Sequence, residues 1–167
     1  MIFKHLIFFV VLYSSSSFCS NSIIAVVNDE IISTNQFSKS IKKNLTSKEK
    51  IKALEFIVNE VLISQKIKQL KISINPKAIE DELNRIALEN NLTLEELTKL
   101  ANFQQIRFTV NQALSKKALK DIIVSNELKK IETESIYSSK EHDELFNKWL
   151  DNLRNNSYIY IYDDKLK

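Results

Sequence analysis

The 167-residue chain contains no glycine. Average usage is about 7%, so the absence is a strong constraint on what can be built. A phosphate-cradling loop, a dinucleotide-binding turn, a nucleophile elbow and an EF-hand all need glycine for positive φ or close approach of backbone to ligand. None can be written here. Proline occurs once, as Pro76. Turn-rich β sandwiches and barrels use both residues freely. The composition therefore predicts a mainly α fold whose turns are made by Asn, Asp and Ser.

Residues 1–22 have the order of a secretory signal peptide. Lys4 supplies a positive start, residues 6–12 (LIFFVVL) are continuously apolar, and residues 14–22 are small and polar apart from Phe18. The apolar run is far short of the roughly 20 residues that span a bilayer. Small residues at −3 and −1 allow cleavage after Cys19 or after Ser22; the second releases a chain beginning at Ile23. A lipidated Cys19 is a second reading, against which stands Phe18 in the position that wants a small residue, and an uncleaved N-terminal anchor is a third. The address implies secretion, with no stable membrane span after cleavage.

The remainder, residues 23–167, reads as one module. Residues 23–27 (IIAVV) and 30–32 are β-prone and flank Asn28-Asp29, a turn that needs no glycine. Four helix-start signatures follow at Ser33/Gln36, Thr46/Glu49, Thr93/Glu96 and Ser138/Glu141. Asn75-Pro76 is a fifth helix start, with proline at the first helical position. The second helix, about residues 47–70, carries two apolar stripes: Ile51, Leu54, Val58, Val61 and Leu62, and Phe56, Ile63, Ile67 and Leu70. Burial on two sides makes it the central helix. A helix from Phe103 is expected to bury Ile106, Val110, Leu114, Ala118 and Ile122. Residues 125–137 read as a linker or a frayed helix end. The last helix is expected to bury Leu145, Phe146, Trp149 and Leu153. Residues 158–162 (YIYIY) alternate as a strand with three tyrosines on one face, and residues 23–27 are their expected partner. The two ends of the module are thus predicted to meet in one small sheet.

Little in the chain suggests catalysis or a metal. His142 is the one histidine beyond the leader, and no cysteine or second histidine completes a zinc site. The acidic clusters Glu80/Asp81/Glu82 and Glu95/Glu96 lie at helix starts, where the dipole explains them. Asp163-Asp164 reads as a solvated tail. Net charge is +3 with Lys and Glu interleaved, which does not favour nucleic acid as a partner. No cofactor, metal or catalytic residue is expected. The aromatics offer a different function: Phe37, Phe56, Phe103, Phe108 and Tyr137, with Ile63, are candidates for a groove that accepts apolar segments. Phe108 stands out because it lies off the stripe of its own helix, and Phe56 because it belongs to the second stripe.

Segments 24–33 (IAVVNDEIIS), 53–65 (ALEFIVNEVLISQ), 72–75 (ISIN) and 86–97 (IALENNLTLEEL), in that order behind a signal peptide, resemble the N-terminal domain of the SurA family of periplasmic chaperones. Residues 146–150 (FNKWL) and 157–161 (SYIYI) look like that family's closing helix and strand. The resemblance implies a helical core module completed by the C-terminal strand. It also implies an ATP-independent holdase for unfolded outer-membrane β-barrel proteins and aromatic-rich peptides. The family usually carries glycine-rich parvulin domains between these parts; only residues 125–137 stand there, so no prolyl-isomerase activity is expected. The region around Asn102 is shorter than the family's loop. Two other readings stay open: a periplasmic scaffold or adaptor with one folded partner, and a degenerate prolyl-isomerase relative.

Overall fold

The computed structural model describes residues 22–41, 44–130 and 138–162. The first described elements are β1 (Ile23–Val27) and β2 (Glu30–Ser33), an antiparallel hairpin turned at Asn28. Among the described residues six helices follow: α1 (Thr34–Ser40), α2 (Ser47–Gln69), α3 (Pro76–Glu89), α4 (Leu94–Thr98), α5 (Phe103–Lys130) and α6 (Ser139–Asn155). The last described element is β3 (Ile159–Ile161). It pairs antiparallel with β1 in the register Ala25–Ile161, Val26–Tyr160 and Val27–Ile159, giving the sheet order β2-β1-β3. The fold is therefore mainly α with one small sheet that joins the two ends of the module, as the sequence predicts.

Helix starts follow the side chains that cap them. Thr46, Thr93 and Ser138 each accept the third helical amide, while Glu49, Glu96 and Glu141 reach back to the cap amide. Ser33 makes half of this arrangement, accepting from the Gln36 amide at 3.2 Å. Asn75 accepts from the Lys77 amide, with Pro76 just inside. Helix ends show what replaces glycine. Past α3, Asn91 has φ 58°, the Leu92 amide donates back to the Ala87 carbonyl and the Asn91 amide to Leu88. Past α2, Lys71 has φ 52°, with Ile72 donating to Ile67 and Lys71 to Lys68. Both are Schellman closures, a motif that usually places glycine at the left-handed residue. In each, the residue that follows, Leu92 or Ile72, packs into a core cluster.

Three apolar clusters hold the helices. Ile24, Ala25, Val27 and Ile32 from the hairpin meet Phe37 of α1 and Leu54, Val58, Val61 and Leu62 of α2 beneath the sheet. Ile63 of α2 joins Leu119, Ile123 and Val124 of α5 with Phe146 and Leu150 of α6. Leu83, Ala87, Leu97 and Val110 tie α3 and α4 to the start of α5. Helix α2 does serve two clusters, though Ile51, Phe56 and Leu70 of its expected stripes are exposed.

The structure corrects three further expectations. Ile122 is exposed, while Leu119 and Ile123 are buried. The expected stripe steps by four from Val110, and four residues overshoot each 3.6-residue turn. Leu114 still packs with Val110 on the α3–α4 cluster, but by Ile122 the stripe has turned only part of the way to the opposite face, where Leu119, about 180° from Val110, and Ile123 are buried against α6. Residues 125–130 are helical rather than linker, because Leu128 still packs on the α5–α6 cluster. Residues 131–137 lie outside the described residues. In α6, Leu150 joins Phe146 in the core without having been expected there, while the expected Leu145, Trp149 and Leu153 pack against the same cluster partly buried, Trp149 stacking on Phe146 with ring centroids 5.2 Å apart. No described helix is long and apolar enough to cross a membrane.

Candidate functional site: an apolar groove between two long helices

The second face of α2 and the N-terminal half of α5 do not close completely on one another. Between them lies a groove of about 1030 Å³. Its α2 wall is Ala53, Phe56, Ile57, Glu60, Ile63 and Ile67, and its α5 wall is Phe108, Thr109, Gln112, Ala113 and Lys116. Ile41, just past α1, lies at one end. The i, i+4 spacing of Phe108/Gln112/Lys116 and Thr109/Ala113 places these α5 residues on one surface.

Phe56 is 62% exposed and Phe108 54% exposed. Two large aromatic rings left in solvent on facing helices are unusual for a core and usual for a binding surface. Ile63, 3% exposed, forms the floor. Glu60 and Lys116 bridge the two walls as an ion pair that stays partly solvated. Such a pair contributes little stability, and with Glu30, Ser64, Lys68, Asn111 and Gln112 it gives the mainly apolar groove a polar share of its lining. Ser115 is the buried polar residue at the groove's inner edge.

The sequence candidates divide. Phe56, Phe108 and Ile63 come together in the groove. Phe37 does not: at 6% exposed it packs under the sheet. Phe103 also lies elsewhere, packed on the α3–α4 cluster and lining a separate pocket of about 250 Å³ with Pro76, Leu83 and Arg107. Tyr137 falls outside the described residues. Ile41 and Ala113 line the groove without having been singled out for it. A small residue beside an aromatic on one helix face is a signal too common to carry that inference.

A second aromatic surface lies on the sheet. Tyr158, Tyr160 and Tyr162 all face solvent, and Tyr160 and Tyr162 meet edge-to-face at 4.8 Å. Their shared face is visible in the alternation of residues 158–162.

Perturbed carboxyl groups lie away from the groove and serve structure. The Thr46 hydroxyl and then its amide hold the Glu49 carboxyl below its ordinary value. The Thr93 and Ser138 amides, then their hydroxyls, do the same for Glu96 and Glu141. Arg85 lowers Glu82 by hydrogen bonding. His142 is half-buried in the first turn of α6, on the Ser138 cap. Among the described residues no group of His, Cys, Asp and Glu side chains is placed to hold a metal. No protein-family model matches the chain, and no curated protein matches it.

Proposed function

We propose that the chain is a periplasmic, ATP-independent chaperone that shields unfolded outer-membrane β-barrel proteins by holding their aromatic-rich segments in the α2–α5 groove. The observation that carries this reading is the convergence of Phe56 and Phe108, both largely exposed, on one apolar trough. Extended apolar chains need adaptable contacts along an open surface rather than a closed, shaped pocket. The signal-peptide pattern of residues 1–22 supports the compartment, and the SurA-like order of segments supports the client class.

The test is suppression of aggregation of a urea-unfolded β-barrel on dilution, followed by light scattering. The expected result is dose-dependent suppression that weakens in Phe56→Ala and Phe108→Ala. No suppression, together with no binding of aromatic-rich peptides, removes the proposal. A native pull-down returning one folded partner at fixed stoichiometry favours the adaptor reading instead. A proline-isomerisation rate above background favours the enzyme.

A further inference from the structure

Residues 158–162 read Tyr-Ile-Tyr-Ile-Tyr, the same in both directions about Tyr160. They end the module at an edge of its sheet, in the order β2-β1-β3. The register decides which peptide groups are engaged. Tyr162 donates its amide to the Ile24 carbonyl at 2.9 Å, and Asn28 donates to the Tyr158 carbonyl at 2.7 Å. Hydrogen-bonded positions alternate along an antiparallel ladder. The peptide groups of Tyr158, Tyr160 and Tyr162 therefore point at β1, and those of Ile159 and Ile161 point at the open edge. Among the described residues no strand lies on that side.

Natural sheets blunt such edges by keeping the strand short, as β3 is, or with charge, proline or a bulge. β3 has no charged residue or proline, and the irregularity in this sheet lies between β1 and β2 at Ile23/Ala25. The solvent face beside the edge is apolar and continuous. Tyr160 pairs with Val26, and Val26 pairs with Ile31, which is 53% exposed.

We propose that β3 pairs antiparallel with β3 of a second copy of this chain, about a two-fold axis through Tyr160. One feature favours a second copy over another strand, and the hydrogen-bonding pattern accommodates it. The palindrome makes the edge its own complement: Tyr160 faces Tyr160, Ile159 faces Ile161, and each Tyr158 faces a Tyr162. The free peptide groups fall in matching positions, so Ile159 and Ile161 exchange bonds with Ile161 and Ile159 of the second chain. A one-residue slip would turn tyrosines toward the core side, so the register is specified. The product is a six-stranded sheet with one aromatic face, an isologous contact in which the same patch serves both partners. The strand is short, so the contact is small and concentration-dependent, in the range of weak and transient interfaces.

Sedimentation over a concentration series tests this with the purified protein. The expected result is a weight-average mass that rises toward twice the monomer mass, and that stays at the monomer mass in Tyr160→Lys with an unchanged circular-dichroism spectrum. In a Cys19→Ser background, Tyr160→Cys should oxidise to a disulfide-linked dimer. Facing residues at such a non-hydrogen-bonded position lie about 4.5 Å apart at Cα, within disulfide reach. Ile159→Cys, which does not face itself, should stay monomeric. A monomer at every concentration up to about 1 mM overturns the proposal. Equal cross-linking at both cysteine positions also overturns it, and so does an extended peptide occupying β3 of a strictly monomeric chain.

Discussion

The Asn28 side-chain amide donates to the Gln65 side-chain oxygen at 2.7 Å, and Gln65 returns a bond from its own amide to the Val27 carbonyl at 3.1 Å. The Asn28 side-chain oxygen in turn accepts from the Tyr158 amide at 3.0 Å. One asparagine at the hairpin turn thus ties together the first strand, the central helix and the approach to the last strand. It does so with φ 54°, a conformation in which asparagine is among the least strained of the residues other than glycine.

Asn28→Ala removes both the side-chain bonds and the tolerance of positive φ. The expected loss is about 2–3 kcal/mol, from a left-handed cost of about 1–2 and a net hydrogen-bond contribution of about 1. Asn28→Gly keeps the backbone easy and loses only the bonds, so it should fall between wild type and Asn28→Ala in urea denaturation. Equal losses in the two variants would assign the whole effect to the side chain.

Lys71 holds the left-handed position that closes α2 without the polar side chain that eases asparagine there. Lys71→Gly should therefore stabilise the protein by about 1 kcal/mol, partly offset by the freer unfolded chain. Asn91→Gly, at the equivalent position after α3, should gain less. A thermal midpoint that rises for residue 71 and barely moves for residue 91 is the expected pattern.

The phenylalanines separate stability from binding. Phe37→Ala empties a core position and should cost about 3–5 kcal/mol. Phe56→Ala and Phe108→Ala touch exposed rings and should change stability by less than about 0.5 kcal/mol. Their effect should instead be weaker binding of a fluorescent aromatic-rich peptide. A large stability loss at Phe56 or Phe108 would place that ring in the core and remove it from the groove.

Acid sensitivity should come from the helix caps. The Glu49, Glu96 and Glu141 carboxyls are held below the ordinary value of 4.5 in the folded protein. A folded pKa below the unfolded one gives stability that is fully present above the unfolded value. That stability is lost as pH falls through the folded value. The urea midpoint should thus decline below about pH 4.5, and the combined variant Glu49→Gln, Glu96→Gln and Glu141→Gln should show a shallower decline. An unchanged slope would move the acid sensitivity to other carboxyls, with Glu82 beside Arg85 the next to test.

Much of the fold was legible because its signals are local. Ser33, Thr46, Asn75, Thr93 and Ser138 each announce a helix with their own side chain, and the alternation of residues 158–162 announces a strand. The expected β1–β3 pairing rested on elimination, since two apolar strands needed one another. What stayed hidden depends on neighbours distant in sequence. The phase of α5 beyond Leu114 is set by α6, whose Phe146 and Leu150 choose Leu119 and Ile123 over Ile122. Lys71 gave no warning, because lysine has no tendency toward the left-handed region and adopts it only where Ile72 is drawn into the core. In the groove, Phe108 was legible as an aromatic off the stripe of its helix, and Phe56 as a member of the second stripe of α2. That they line one groove follows from how α2 and α5 cross, which no residue encodes alone.

The adjacency of β1 and β3 also sets the order in which the molecule can be finished. β1 is made first, and its second neighbour is separated from it by more than a hundred residues of chain. Closing so long a loop is entropically costly and slow compared with forming the hairpin or the helices. While the polypeptide is still emerging, the hairpin has a vacant side and Asn28 lacks the Tyr158 amide it will accept. Any ribosomal stall or proteolytic cut before residue 159 leaves that side open as a site for another strand. Joining residues near 23 and 162 by a short linker and opening the chain elsewhere should turn this last event into one of the first. A circular permutant of that kind should fold faster at similar stability.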